Sequence, residues 1–184
     1  MKLSKPITLW GWISSILFVL CINIGCASTK GSYSPVVPLK EGVDLSKYSK
    51  LLLEVTNNNN VALTETDKTR IKTQIIASLH KEYPNRFKDI NMDNPDLAML
   101  QIVVNITRYD KGSAFGRLML AVIGGMHIDA DVILNDYASK ECLARYETKK
   151  TFAWGGIYGG MTRIEDIEEG FSKAVVASFM EPKK

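Results

Sequence analysis

Residues 126–154 read MHIDADVILNDYASKECLARYETKKTFAW, and their two-residue period decides the fold. Met126, Ile128, Ala130, Val132 and Leu134 alternate with His127, Asp129, Asp131 and Asn135. Successive side chains of a strand point to opposite faces, so this run predicts a strand with one apolar and one polar face. A turn over Asp136–Lys140 leads into a second extended run, Glu141 to Trp154, carrying Leu143, Arg145, Tyr146 and Glu147. Together they predict an antiparallel hairpin. Upstream, Leu100, Ile102, Val104 and Ile106 alternate with Gln101, Asn105 and Thr107, a third half-buried strand.

The flanks change period. Leu51, Leu52, Leu53 and Val55 form a short buried run that ends at the turn-favouring Asn57–Asn60. Thr64 with Asp67 three residues on is close to a capping box, and Ile71, Ile75, Ile76 and Leu79 follow at helical spacing until Pro84. Arg86 to Met92 reads as a short strand. Gly155, Gly156, Gly159 and Gly160 predict a loose loop, and Thr162 with Glu165 predicts a capping box. Asp166, Glu168 and Glu169 suit the positive end of the helix that begins there. Ile164, Ile167, Phe171, Val175 and Phe179 supply its apolar stripe. Two amphipathic helices and a sheet with one polar face predict an α/β (α+β) fold, a two-layer sandwich on a mostly antiparallel sheet.

The first part of the chain has another character. Lys2 and Lys5 precede an apolar core from Ile7 to Leu20, and no acidic residue appears before Glu41. This is the basic start and apolar core of a secretory signal. Ile22-Asn-Ile-Gly-Cys26 resembles a bacterial lipobox, in which small residues precede a cysteine that receives lipid; Asn23 stands where leucine is usual. The alternative is an uncleaved membrane anchor, since the apolar stretch approaches spanning length. Residues 1–25 are therefore expected to be a lipoprotein signal peptide and 26–46 a lipidated Cys26 followed by a flexible tether rich in Ser, Gly and Pro. A single α/β domain is expected over 47–184. An edge strand over Tyr33–Leu39 is the competing reading of the tether. Ala27, where aspartate retains enterobacterial lipoproteins in the inner membrane, points to the outer membrane of a Gram-negative cell. Without the two leader lysines, 21 basic residues face 20 acidic ones, so the mature charge falls from +3 to about +1. That near-neutral balance gives no reason to expect nucleic acid as a partner.

Gly112, Arg117, the Gly124–Gly125 pair before a strand, Asp136 at the hairpin turn, the glycine-rich run Gly155 to Gly160 and the last helix resemble those of the bacterial domain of unknown function 4410. That family is common among predicted lipoproteins, and the similarity runs from about Leu51 to Met180. Lys140 departs from the pattern, standing where members tend to have glycine. The resemblance implies an α/β domain in the cell envelope and implies no activity.

Several residue groups invite a chemical reading. His127, Asp129 and Asp131 share one strand face and are of metal-ligating types. Their Cβ spacing of about 7 Å is wide for joint coordination, and a solvated outer face is the preferred reading. Ser113 to Ile123 is unusually apolar, with Phe115, Leu118, Met119 and Val122 at helical spacing. Three readings compete there: a short helix buried on the core, a partner-binding surface, or a segment dipping into a membrane interface. Arg117 in its middle reads as a surface ion pair, or as a binder of an anionic group. The run Trp154-Gly-Gly-Ile-Tyr158-Gly-Gly160 joins aromatics to flexible backbone, as ligand-binding loops do, and reads equally as a plain connection. Cys21 leaves with the signal and Cys26 takes lipid, so Cys142 stands alone. Its place in a strand-like run predicts a small buried hydrophobe rather than a nucleophile. Asn105-Ile-Thr107 has the form of a glycosylation sequon and is discounted in a strand of a bacterial protein. His80 and His127 belong to no recognisable catalytic motif.

The expectation is a noncatalytic envelope lipoprotein without cofactor or metal. It would be held to the membrane through lipid on Cys26 and act as an accessory or scaffold subunit for a protein partner. Phe115, Arg117, Leu118, Trp154 and Tyr158 are its candidate surface. A small-ligand or lipid-binding module is the alternative, and a hydrolase the least favoured.

Overall fold

Alternation of apolar and polar side chains carries directly into strand pairing. In the computed structural model, which describes residues 31–91, 98–120 and 124–181, six strands form one open sheet. They are β1 (Ser32–Val37), β2 (Lys50–Asn57), β3 (Asp89–Ile90), β4 (Met99–Asp110), β5 (Met126–Asp136) and β6 (Cys142–Phe152), in spatial order β1-β6-β5-β4-β2-β3. The β1–β6, β6–β5 and β5–β4 pairs are antiparallel, while β2 runs parallel to both β3 and β4. The long helices α1 (Glu65–Glu82) and α4 (Ile164–Met180) pack together and cover one face of the sheet. Between them come two short helices, α2 (Ala114–Leu120) and α3 (Gly156–Met161). The leader, Cys26 and the lipobox lie outside the described residues.

The core lies between the helices and the inward side chains of the strands. Leu51 and Leu53, Ile102, Val104 and Ile106, Ile128, Val132 and Leu134 meet Ile71, Ile75, Phe171, Val175 and Phe179. The opposite sheet face is polar. There Arg145 Nη2 lies 2.7 Å from Asp131 Oδ2, and Gln101 Nε2 donates to Glu54 Oε1 at 3.0 Å. Buried polarity is concentrated where α1 crosses α4. Glu168, wholly buried, accepts from Arg70 Nε and Nη2, both at 2.8 Å, and from the Tyr109 hydroxyl at 2.8 Å. Arg70 also donates to Asp67 at 2.7 Å. Burial, helped by the Glu168 carboxylate, pushes the Tyr109 hydroxyl well above its ordinary range.

The hairpin turn forms as expected. Asp136 Oδ1 accepts from the Ser139 amide at 2.9 Å, and its Oδ2 accepts from the Tyr48 hydroxyl at 2.7 Å. Lys140 has φ +59°, the left-handed conformation that glycine adopts without strain. That accounts for glycine being the residue expected there.

Five expectations are corrected. Within the span read as tether, Ser32–Val37 is the edge strand β1, with Tyr33 and Pro35 half-buried against β6. The cap of α4 sits one residue later than predicted: Asp166 Oδ2 accepts from the Arg163 amide at 2.7 Å, while Thr162 Oγ1 donates to Tyr158 O and closes α3. The glycine run is helical from Gly156 to Met161 instead of a loose loop. Cys142 is exposed rather than buried. The register passes from Leu134↔Ala144 to Asn135↔Cys142, so Leu143 is an extra residue; it and Ala144 both turn inward, and Cys142 turns out. Finally, α2 forms but is not buried on the core, because its side chains largely face solvent.

Candidate functional site

The last turns of β4 and β6 and the start of β5 share one end of the sheet, since Asp110 pairs with His127 and His127 with Thr151. Both short helices are mounted there. Glycine permits the mount. Gly112 (φ +58°) and Gly124 (φ +97°) take left-handed backbone, and a Cβ on either would sit 2.2 Å from Gly124 O or 2.5 Å from Ser113 O. A Cβ on Gly159 would lie 1.9 Å from Trp154 O, and one on Gly160 would lie 3.3 Å from Leu118 Cβ, where the two helices touch.

Arg117 ties these pieces together. It is 3% exposed, and among the described residues its guanidinium donates to backbone carbonyls alone: Nε to Gly159 at 2.7 Å, Nη1 to Gly124 at 2.8 Å and Lys111 at 3.2 Å, Nη2 to Thr162 at 3.0 Å. The surface ion pair expected for Arg117 is therefore corrected. Its planar fork suits several carbonyls converging from different directions, which a lysine could not match. The glycine and arginine positions that carry the family resemblance are thus parts of one clasp.

The clasp leaves an apolar cap facing outward. Phe115 is 70% exposed, Met119 60%, Ile157 74% and Met161 76%, with Leu118 and Tyr158 exposed beside them. Solvation of this many large apolar side chains in one place marks an interaction surface. Tyr158 packs edge-on to Trp154 at 5.9 Å between centroids and lies 6.2 Å from Phe152. These rings wall a cavity of about 480 Å3 whose other lining includes Lys150, Ile167, Gly170 and Lys173. Burial lowers the pKa of the Lys150 ammonium. Lys173 pairs with Glu169 at 2.7 Å.

Of the residues singled out in the sequence, Phe115, Leu118, Trp154 and Tyr158 are brought together here, and Arg117 holds them from inside. Val122 and Ile123, the end of the apolar segment, lie outside the described residues. Met119, Ile157 and Met161 were not singled out as surface residues; Ile157 and Met161 stand four apart, a helical spacing hidden among glycines. His127, Asp129 and Asp131 lie on the open sheet face: Asp131 pairs with Arg145, His127 Nδ1 is 3.1 Å from Thr151 Oγ1, and burial raises the Asp129 carboxyl. Cys142 lies at the far end of the sheet, beside the hairpin turn.

A family model described as a domain of unknown function, DUF4410, matches residues 47–156, more than half of the chain. No curated protein matches the sequence. Among solved structures, the PelC dodecamer from Paraburkholderia phytofirmans is similar at TM-score 0.52 and 10% identity, covering 84% of this chain and 99% of that one. A variant of PelC gives the same score at 9% identity, with the same coverage. A Xanthomonas campestris protein is similar at 0.47 and 10%, covering 79% of this chain and 93% of that one. At these identities the PelC likeness concerns the fold alone.

Proposed function

The chain belongs to the domain of unknown function 4410 family, a membership that brings no activity with it, and from that premise we propose a noncatalytic, lipid-anchored envelope protein that works as an accessory or scaffold subunit. The observation that carries this reading is the apolar cap of α2 and α3, tied together by Arg117 and exposed among the described residues. In this reading the lipid on Cys26 keeps the protein at a membrane, most simply the outer one, and the cap is its docking surface. One observation supports the anchor over a span: the basic start, apolar core and Gly25–Cys26 pair are those of an exported lipoprotein. Support for a noncatalytic role comes from the polar groups: Arg70, Asp67, Glu168 and Asp136 are spent on holding elements together, and His127 and Cys142 sit at opposite ends of the sheet.

Crosslinking in intact cells tests the subunit reading. A tagged wild type should recover a partner in near-equal amount, and Cys26→Ala should lose it; no such partner with either form would remove the reading. Docking by the cap is tested by labelling Ile157→Cys with a membrane-impermeant maleimide in a Cys142→Ser background, since Cys142 is itself an exposed thiol. The thiol should be shielded in native envelopes and reactive in detergent. Equal reactivity in both would exclude the cap as a docking surface.

The cavity beside Trp154 favours a second reading, a module for a small apolar or amphipathic ligand, since its volume lies within the range of ligand sites. Native mass of envelope-purified protein should then exceed the polypeptide-plus-lipid mass. A ligand-free mass would leave the subunit reading alone.

A further inference from the structure

We infer that the surface met by the cap is the lipid bilayer itself, the one that holds the acyl chains of Cys26; this rests on the docking reading above. The argument begins where the described chain begins. The Gly31 amide donates to Gly170 O at 3.0 Å, and a Cβ on Gly31 would lie 2.9 Å from Ala174 Cβ. The chain is therefore pinned to α4 at Gly170, which lines the same cavity as Trp154 and Tyr158. Gly31 is five positions after Cys26, a stretch that even fully extended reaches only about 17 Å.

That short leash selects one end of the molecule. β1 meets β6 at Ser32↔Lys149, near the end of β6 that leads into α3. α2 and α3 hang from that end. The hairpin turn lies beyond the other end of β6, and the seven positions from Lys149 back to Cys142 span about 23 Å, beyond the leash. A lipid on Cys26 thus holds the cap, and not the turn, against the membrane.

The chemistry of the cap suits a bilayer surface. Phe115, Met119, Ile157, Tyr158 and Met161 are all at least 60% exposed, and the half-buried Trp154 ring packs edge-on against Tyr158. Trp and Tyr favour the headgroup level. Lys111 and Arg163 are exposed. Lys111 and Thr162, the residue before Arg163, supply carbonyls to the Arg117 clasp, so the backbones of both cations stand at the base of the cap, within side-chain reach of lipid phosphates. Helices of seven and six residues are too short to span and can only lie in the interface.

The test uses the full lipidated chain, purified and reconstituted into vesicles of phosphatidylethanolamine and phosphatidylglycerol with no other protein. Cys142 is changed to serine, since it is an exposed free thiol. A spin label is then placed at Ile157→Cys, at Phe115→Cys, or at Ala138→Cys in the hairpin turn. The labels at 157 and 115 should lose accessibility to a water-soluble nickel chelate and gain accessibility to oxygen, while the label at 138 stays open to nickel. Labels at 157 and 115 as open to nickel as that at 138 would overturn the bilayer contact. If those labels are open in vesicles but shielded in native envelopes, the cap docks on a protein: the bilayer inference fails and the docking reading stands. If they are open in both, both fail.

Discussion

At the residue scale, three side chains carry consequences out of proportion to their size. Arg117 satisfies the carbonyls of Lys111, Gly124, Gly159 and Thr162. Hydrogen bonds to a charged donor contribute about 1.5–3 kcal/mol, and a buried acceptor left without a partner carries a cost of its own. Arg117→Met should lower stability by roughly 3 kcal/mol, with amide exchange accelerating first across 112–119 and 156–162. Uniform acceleration over the sheet would contradict the clasp. Lys140 holds left-handed backbone at φ +59° and places Nζ 3.6 Å from the Tyr137 ring centroid. Backbone relief should outweigh the exposed cation–π contact, so Lys140→Gly is expected to raise stability by about 0.5 kcal/mol in urea denaturation. Asp136 is depressed from its ordinary 3.8 to about 2, chiefly by the Ser139 amide and then by the Tyr48 hydroxyl. A depressed carboxyl contributes stability above its unfolded pKa and loses it as pH falls through the folded value. The Asp136 contribution should therefore be whole above about pH 4 and fade toward about pH 2. In Asp136→Asn, the urea midpoint should fall less steeply over that window. An unchanged acid slope would show that Asp136 is not tuned by these contacts. The turn residues were legible in the sequence because a turn's chemistry is local. The role of Arg117 was not, because its acceptors come from segments up to 45 positions away.

At the element scale, the two long helices are joined by charge as well as by apolar contact. Removing one member of a buried pair leaves the other unpaired, at about 3–5 kcal/mol when both are buried. Arg70 keeps part of its side chain in solvent, so Glu168→Gln should cost nearer 3 kcal/mol. The double change Arg70→Leu with Glu168→Leu should recover part of that loss in a thermal scan. A double variant no better than Glu168→Gln would mean that the pair itself, and not an orphaned partner, carries the stability. Period made α1, α4, β4 and β5 readable. It misled at β6 because the extra residue Leu143 reverses the alternation, burying Leu143 with Ala144 and exposing Cys142. It was silent at α3 because glycine has little helix propensity. There the helix is fixed by its contact with α2 at Gly160 and by Arg117 at Gly159.

At the scale of the whole molecule, apolar surface is divided between a core that stabilises and a cap that does not. The core is lined by α1, α4 and the inward strand faces, whereas Phe115 and Ile157 stay in solvent. Phe115→Ser and Ile157→Ser should then shift stability by no more than about 0.5 kcal/mol, as read by thermal unfolding. A larger loss would mean that these side chains support the fold instead of facing a partner. The sequence pattern conveyed the layered architecture, because burial on one sheet face imposes alternation on every strand. It could not convey which end of the sheet the apolar segment and the glycine run would share, since that depends on register between strands far apart in the chain.

That separation also has a consequence in time. β1 is the first described strand and its one described neighbour in the sheet is β6, through Ser32↔Lys149, with the Tyr33 hydroxyl reaching Glu181 O at a separation of 148 residues. Pairings so distant in sequence form late, because a large loop must close before they yield any stabilisation. For a chain delivered N-terminus first, the opening strand has nothing to pair with until nearly all the rest has emerged. The sheet therefore stays incomplete until β6 has emerged, and β1 is the last of its described strands to find a place.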